Sequence, residues 1–162
     1  HGRAHFNGEA GDGGLYGLWA LVEATQFGDL LRLGKSPAER KSVRKAGELG
    51  DEALQAGIKK AKAGADGGDI LAAQHSAIFS GGGDYPGNEF IIGSDRDALL
   101  CRYKSGRRKL SKRDQLTLEF AGVYRRYHAA FMRTLIIGKP NKDHLKMDEA
   151  CPAALSLSLI PI

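Results

Sequence analysis

Cysteine is nearly missing from this sequence: 162 residues carry only Cys101 and Cys151. Their wide spacing forms neither a metal-type nor a redox-type pair, so a reducing cytoplasm is the expected setting. Long apolar runs are also missing, none reaching the roughly 18 residues of a membrane-spanning helix, and no membrane partner is expected. No basic-then-apolar leader opens the chain, which starts on His1 rather than Met, and a trimmed start is the expectation.

What is present is ordinary in bulk. With 42% hydrophobic and 27% charged residues, the composition is that of one soluble globular domain, with or without tails. The net charge of +5 raises nucleic acid as a partner, so the distribution of the charge matters more than its sum. Arg102, Lys104, Arg107, Arg108, Lys109, Lys112 and Arg113 form one dense basic run, broken by Ser105-Gly106. Tyr103 is its single aromatic, whereas a nucleic-acid patch usually adds several. The run reads as a solvated hairpin edge on which Lys and Arg block strand pairing, with nucleic acid as the alternative.

Residues 1–17 are rich in glycine and lack periodicity, and Leu18–Leu33 has a helical apolar pattern weakened by Gly28. Ser36-Pro37-Ala38-Glu39 is a helix start: serine accepts from first-turn amides, proline suits the first position, and glutamate reaches back. Val43, Ala46, Gly50, Ala53, Leu54, Ile58 and Ala61 give this helix its stripe, and its interior glycines Gly47, Gly50 and Gly57 are read either as room for close packing against a sheet or as a drifted sequence. A second helix is predicted with Asp69 as its cap, Ile70, Ala73, Ala77 and Ile78 buried, and Gly81-Gly82-Gly83 as its stop.

After Tyr85-Pro86-Gly87 the period becomes extended. Glu89–Ile92, Ala98–Tyr103, Gln115–Phe120, Val123–His128 and Met132–Ile137 are predicted strands, with turns at Gly93, Ser105-Gly106, Ala121-Gly122 and Gly138. Asp143–Ala150 begins a further helix that Pro152 should break. Helices followed by consecutive strands give an α+β layout, with the helices on one face of a mostly antiparallel sheet.

The chemistry concentrates between Leu116 and Thr134. Alternation places Leu116, Leu118 and Phe120 on one face of a strand, and Thr117 and Glu119 on the other. Glu119 is the conspicuous carboxylate there, and a solvated strand glutamate is the plainer reading. The pattern Glu119-Phe120-Ala121-Gly122-x-Tyr124-x-x-Tyr127-x-x-Ala130-x-x-Arg133-Thr134, then Gly138, resembles the central motif of the pita-bread hydrolases. That superfamily holds Xaa-Pro aminopeptidases, prolidases, methionine aminopeptidases and creatinase. Lys35–Glu39 resembles the family's entry to its first catalytic-domain helix, and Gly93–Tyr103 the strand carrying its active-site histidine. The resemblance runs from about Lys35 to Pro140 and implies a partial pita-bread fold with a curved sheet.

The departures from the family pattern carry as much as the match. The family's first metal-binding aspartate corresponds to Glu119, the second to Ala130, and its histidine to Arg102. A bridged pair of cations needs several carboxylates, so the resemblance implies no metal and no other cofactor here. It points to the metal-free branch, creatinase and above all ectoine hydrolase, whose counterpart of Leu118–Ala130 looks most similar. A cyclic amidine is already cationic, so a carboxylate can pair with it and attack, or direct water at, its carbon. Glu119 is the expected catalytic carboxylate, with Tyr103 and His128 as positioning or protonating candidates; a structural, hydrogen-bonded His128 is the competing reading.

The expected organisation is a segment of separate origin over 1–34, a partial catalytic domain over 35–140 and a tail over 141–162. The family's domain continues well beyond the Gly138 equivalent and supplies further ligands there. Residues 1–34 and 149–162 resemble none of it, and a shifted reading frame or an appended foreign segment is the expected origin. Half such a domain should expose a sheet edge and an apolar helix face, so a homo-oligomer or partner is expected alongside a small-molecule substrate. An Xaa-Pro dipeptidase-like metallopeptidase and a non-enzymatic basic binding module are the competing functions.

Overall fold

A computed structural model describes residues 25–99 and 108–158 of the chain, which divides into two compact units, residues 1–34 and 35–162. In the first unit, helix α1 spans Thr25–Leu33 and buries none of its side chains. The second unit holds α2 (Pro37–Lys60), α3 (Gly67–Ser80), β1 (Ile91–Ser94), a 3-10 turn (Asp95–Leu99), β2 (Asp114–Tyr124), β3 (Tyr127–Ile137) and α4 (Lys142–Ser158).

Helix α2 starts where the sequence says it should. The Ser36 hydroxyl accepts from the Glu39 amide at 3.3 Å, and the Ser36 amide donates to Glu39 Oε2 at 2.7 Å, closing a capping box. Its buried stripe is Ser42, Ala46, Leu49, Gly50, Ala53 and Gly57, so Leu49 belongs to it while Ile58 is exposed. Helix α3 is capped by Asp66, not Asp69: the Asp66 carboxylate accepts from the Gly68 amide at 2.7 Å. Either aspartate satisfies the pattern, but the chain becomes helical at Gly67, which leaves Asp69 inside the first turn.

The three strands form one antiparallel sheet in the order β1-β2-β3. Leu116, Leu118 and Phe120 lie buried on one face, under α2 and α3, together with Ala53, Ile70, Ile78, Phe90, Ile92 and Leu110. Phe120 stacks on Phe131 across the pair, ring centres 5.2 Å apart. The α+β layout on an antiparallel sheet is therefore the observed one, with α2 and α3 on one face and α4 beside the other.

Four readings of the sequence need correction. The predicted turn at Ala121-Gly122 is strand: β2 runs through it, and the chain reverses at Arg125-Arg126. Both arginines have positive φ, 50° and 68°, the backbone of a two-residue hairpin turn that normally favours Asn-Gly. The first strand lies two residues later than predicted, over Ile91–Ser94. Ala98 belongs to the 3-10 turn rather than a strand, and residues 100–107 lie outside the described part. Helix α4 continues through Pro152, which removes one amide donor without ending a helix of good formers such as Ala150, Ala153 and Ala154.

Gly122 sits in mid-strand because the helix comes down on it. A Cβ there would overlap the Ala46 carbonyl oxygen and the Gly50 amide of α2, and one on Gly50 would enter the Phe131 ring. Gly47, three residues earlier on α2, has open space where a methyl group would project, with nothing within 4 Å. Gly47→Ala should therefore stabilise the protein by up to about 1 kcal/mol, through helix propensity alone. Gly122→Ala should destabilise it by about 3 kcal/mol, the upper end for overpacking, because the obstruction is backbone. Urea unfolding midpoints of the two variants will check that the signs are opposite.

Candidate functional site

The face of the sheet away from α2 and α3 carries the candidate residues. Direct pairing across β2 and β3 sets Thr117 opposite Thr134, Glu119 opposite Met132, Ala121 opposite Ala130, and Val123 opposite His128. Ile91 of β1 pairs with Glu119 from the other side. Glu119 and Ala130 are thus diagonal neighbours on one face, about 7 Å apart at their β-carbons. Glu119 is half-buried, whereas Ala130, Met132 and Thr134 are exposed.

That register gives a chemical test of metal binding. The position diagonal to the carboxylate holds a methyl group, and the flanking positions offer Ala121 and the Met132 thioether. A bridged divalent pair wants hard oxygen donors at these places. The residues present do not fit it, and among the described residues no group of three His, Cys, Asp or Glu side chains could hold a metal ion.

His128 lies on the same face but about 13 Å along the strand from Glu119, four residues away in register. Both of its ring nitrogens are engaged. The Gly87 amide donates to Nε2 at 2.8 Å, so the proton resides on Nδ1, which donates to the Arg126 carbonyl at 3.0 Å. The imidazole ties the 84–87 loop to the hairpin end, where the Asp84 carboxylate also accepts from the Arg126 amide at 3.2 Å. The structure does not bring Glu119 and His128 together. Tyr103 and Arg102 lie outside the described residues.

Two polar linkages escaped the sequence reading. In the first, the Tyr127 hydroxyl donates to Glu39 Oε1 at 2.9 Å, joining the start of α2 to the start of β3. The Ser36 amide and hydroxyl, then this phenol, hold the Glu39 carboxyl below its ordinary range, and the Tyr127 phenol is raised in turn. The second is a charged knot at the start of β2. Arg108 Nη1 donates to Asp114 Oδ2 at 2.6 Å and to Ser94 Oγ at 2.7 Å, and the Asp95 and Ser111 amides also donate to Asp114. Arg108 therefore departs from the expected solvated edge and turns inward. Nothing in a run of seven cations singles it out; Asp114, the first acid after the run, was the available signal.

Beside Thr134 the open face continues into a cavity of about 450 Å³ between the hairpin and α4, lined by Gln115, Ile136, His144, Asp148 and Cys151. No described helix is long and apolar enough to cross a membrane.

Comparison with known proteins places this geometry. The model of Metallopeptidase family M24 matches residues 41–159. The Xaa-Pro dipeptidase of Pyrococcus horikoshii is 24% identical over 119 residues, covering 74% of this chain and 34% of the relative. The ectoine hydrolase of Halomonas elongata is 26% identical over 141 residues, 80% of this chain and 35% of the relative. Among solved structures, zinc-substituted Escherichia coli aminopeptidase P in complex with product superposes with a TM-score of 0.74 at 24% identity, over 80% of this chain and 30% of that one. Prolidase from Pyrococcus furiosus gives 0.71 at 22% identity, over 75% and 36%. The chain thus spans about a third of the length of the relatives it matches, and the structural neighbours carry the pita-bread fold, of which this is a part.

The knot at Asp114 makes a direct prediction. Burial pushes its carboxyl up, but the Ser111 amide, the Arg108 guanidinium and the Asp95 amide outweigh it and hold the group below its ordinary value. A carboxyl depressed in the folded state stabilises above its unfolded pKa, and that contribution fades as pH falls through the folded value. With the Asp114 side chain only 1% exposed, Asp114→Asn should be less stable by about 3 kcal/mol near neutral pH. The gap from wild type should shrink below about pH 4. Urea titrations across that range measure it.

Proposed function

The chain belongs to metallopeptidase family M24, and from that premise we propose that it represents a metal-free, C–N bond-hydrolysing type of the family, similar to ectoine hydrolase, with Glu119 as its catalytic carboxylate. The observation that supports this is the methyl group of Ala130 on the face shared with Glu119. One carboxylate without its partner is poorly suited to clamp two cations and well suited to pair with one cationic substrate.

On this reading the substrate is a small molecule with a positively charged carbon–nitrogen centre, such as a cyclic amidine. Glu119 pairs with the cation and either attacks the electrophilic carbon or directs water onto it. The exposed surface from Ala130 to Thr134 receives the ligand, and the adjoining cavity under α4 gives it depth. His128, with one nitrogen accepting and the other donating, serves by holding the hairpin end, and Tyr103 remains the protonating candidate. The proposal requires no cofactor. A second reading, an Xaa-Pro dipeptidase-like metallopeptidase, is favoured by the name of the Pyrococcus relative and opposed by Ala130.

Hydrolysis of ectoine, creatine and a Gly-Pro dipeptide by the chain and by Glu119→Gln tests the proposal. The expected result is turnover of a cationic C–N substrate that falls by about a hundredfold or more in the variant, the usual weight of a positioned acid–base group. Equal background rates in both proteins would dispose of it. Metal analysis separates the two readings: stoichiometric Mn or Zn retained by the wild-type chain and lost in Glu119→Gln would establish the peptidase reading instead.

A further inference from the structure

A second concavity lies at the far end of the hairpin from Thr134. Lys41, Arg44, Lys45 and Glu48 of α2 line it together with Tyr124 and Arg125 of the hairpin, around a volume of about 430 Å³. The four helix positions recur at the spacing of one helical stripe, beside the stripe of Ser42, Ala46 and Leu49 that is buried on the sheet. Arg125 is brought to the same place by the turn, where its φ of 50° swings the chain over. Its guanidinium rests 5.6 Å from the centre of the Tyr124 ring.

The electrostatics of this concavity are one-sided. Four cations face a single acid, Glu48, which pairs with Lys45 at 3.2 Å. That pair neutralises one cation, which leaves Lys41, Arg44 and Arg125 without an acid among the lining residues. Like charges gathered around one hollow raise its positive potential, and a multivalent anion is the ligand that such a potential favours. Two of the four are arginines, whose planar forks match phosphate oxygens in pairs.

We propose that this concavity binds a compact phosphoanion, a small molecule bearing two or more adjacent phosphate groups. The size of the hollow suits such a group rather than a folded partner. The four cationic residues line one hollow rather than a long groove, and the Tyr124 ring already carries Arg125, which leaves no open platform for stacking bases. The site stands apart from Glu119 and needs none of its chemistry: Tyr124 and Arg125 are five and six residues beyond it, at the closed end of the hairpin.

Isothermal titration of the full chain with inorganic triphosphate tests the proposal, at low and at physiological salt, with Arg44→Glu and Arg125→Gly as variants. Arg44 is an exposed helix position, and glycine accepts the positive φ at 125 without strain, so both variants should fold, as circular dichroism will check. Saturable one-site binding that weakens with salt, and by about tenfold in each variant, is the expected result. No binding at millimolar triphosphate, or equal affinity in wild type and both variants, would overturn it. Stronger binding to single-stranded oligonucleotides, rising with their length, would overturn it in favour of a nucleic-acid surface.

Discussion

The contact on which the rest of the domain depends is backbone on backbone: α2 lies against β2 with glycine on both sides of the interface. Gly122 leaves room for the Ala46 carbonyl and the Gly50 amide, and Gly50 leaves room for the Phe131 ring. No side chain separates helix from strand there, so the helix axis is pulled close to the sheet over the length of the hairpin. Leu49 and Ala53 are then fully buried, and Leu116 and Leu118 with them. Because that face is committed to the helices, the period-two geometry of the strand obliges Glu119 and its cross-strand neighbours to take the other. The placement of the candidate carboxylate follows from two missing methyl groups.

This contact also explains which parts of the fold were legible in the sequence. The start of α2 could be read residue by residue, because a capping box is local and each member answers to a neighbour three positions away. The inward face of β2 could be read from alternation alone. Gly122 could not, because glycine permits a tight turn and permits close approach equally well, and only the third dimension decides between them. The true turn is hidden for the complementary reason. Arg125 and Arg126 are poor residues for positive φ, and the turn is held by one distant group, the Asp84 carboxylate on the Arg126 amide, and one local group, His128 on the Arg126 carbonyl.

The site divides along the same line. Strand alternation was enough to single out Glu119, and the family motif paired it with Ala130, but only the register shows the two as diagonal neighbours. His128 was named beside Glu119 from the sequence, and four positions of register separate the two in the structure. Its two ring nitrogens are spent on backbone groups, which makes it a clasp for the loop carrying Gly87. The Arg108–Asp114 knot was illegible because its partners come from β1, the 3-10 turn and β2, three segments that only the sheet brings together.

The loss at position 130 changes what is asked of Glu119. Two carboxylates set diagonally on one face repel when nothing positive lies between them, so a pair there is stable chiefly with bound cations. Replacing one by a methyl group removes that repulsion. The remaining carboxylate is half-buried between Ile91 and Met132, with Thr117 and Ala121 along the strand. It has no second acid on its diagonal, where Ala130 stands. On the proposed reading, the methyl group at 130 leaves Glu119 to meet a single cationic centre rather than a pair of metal ions.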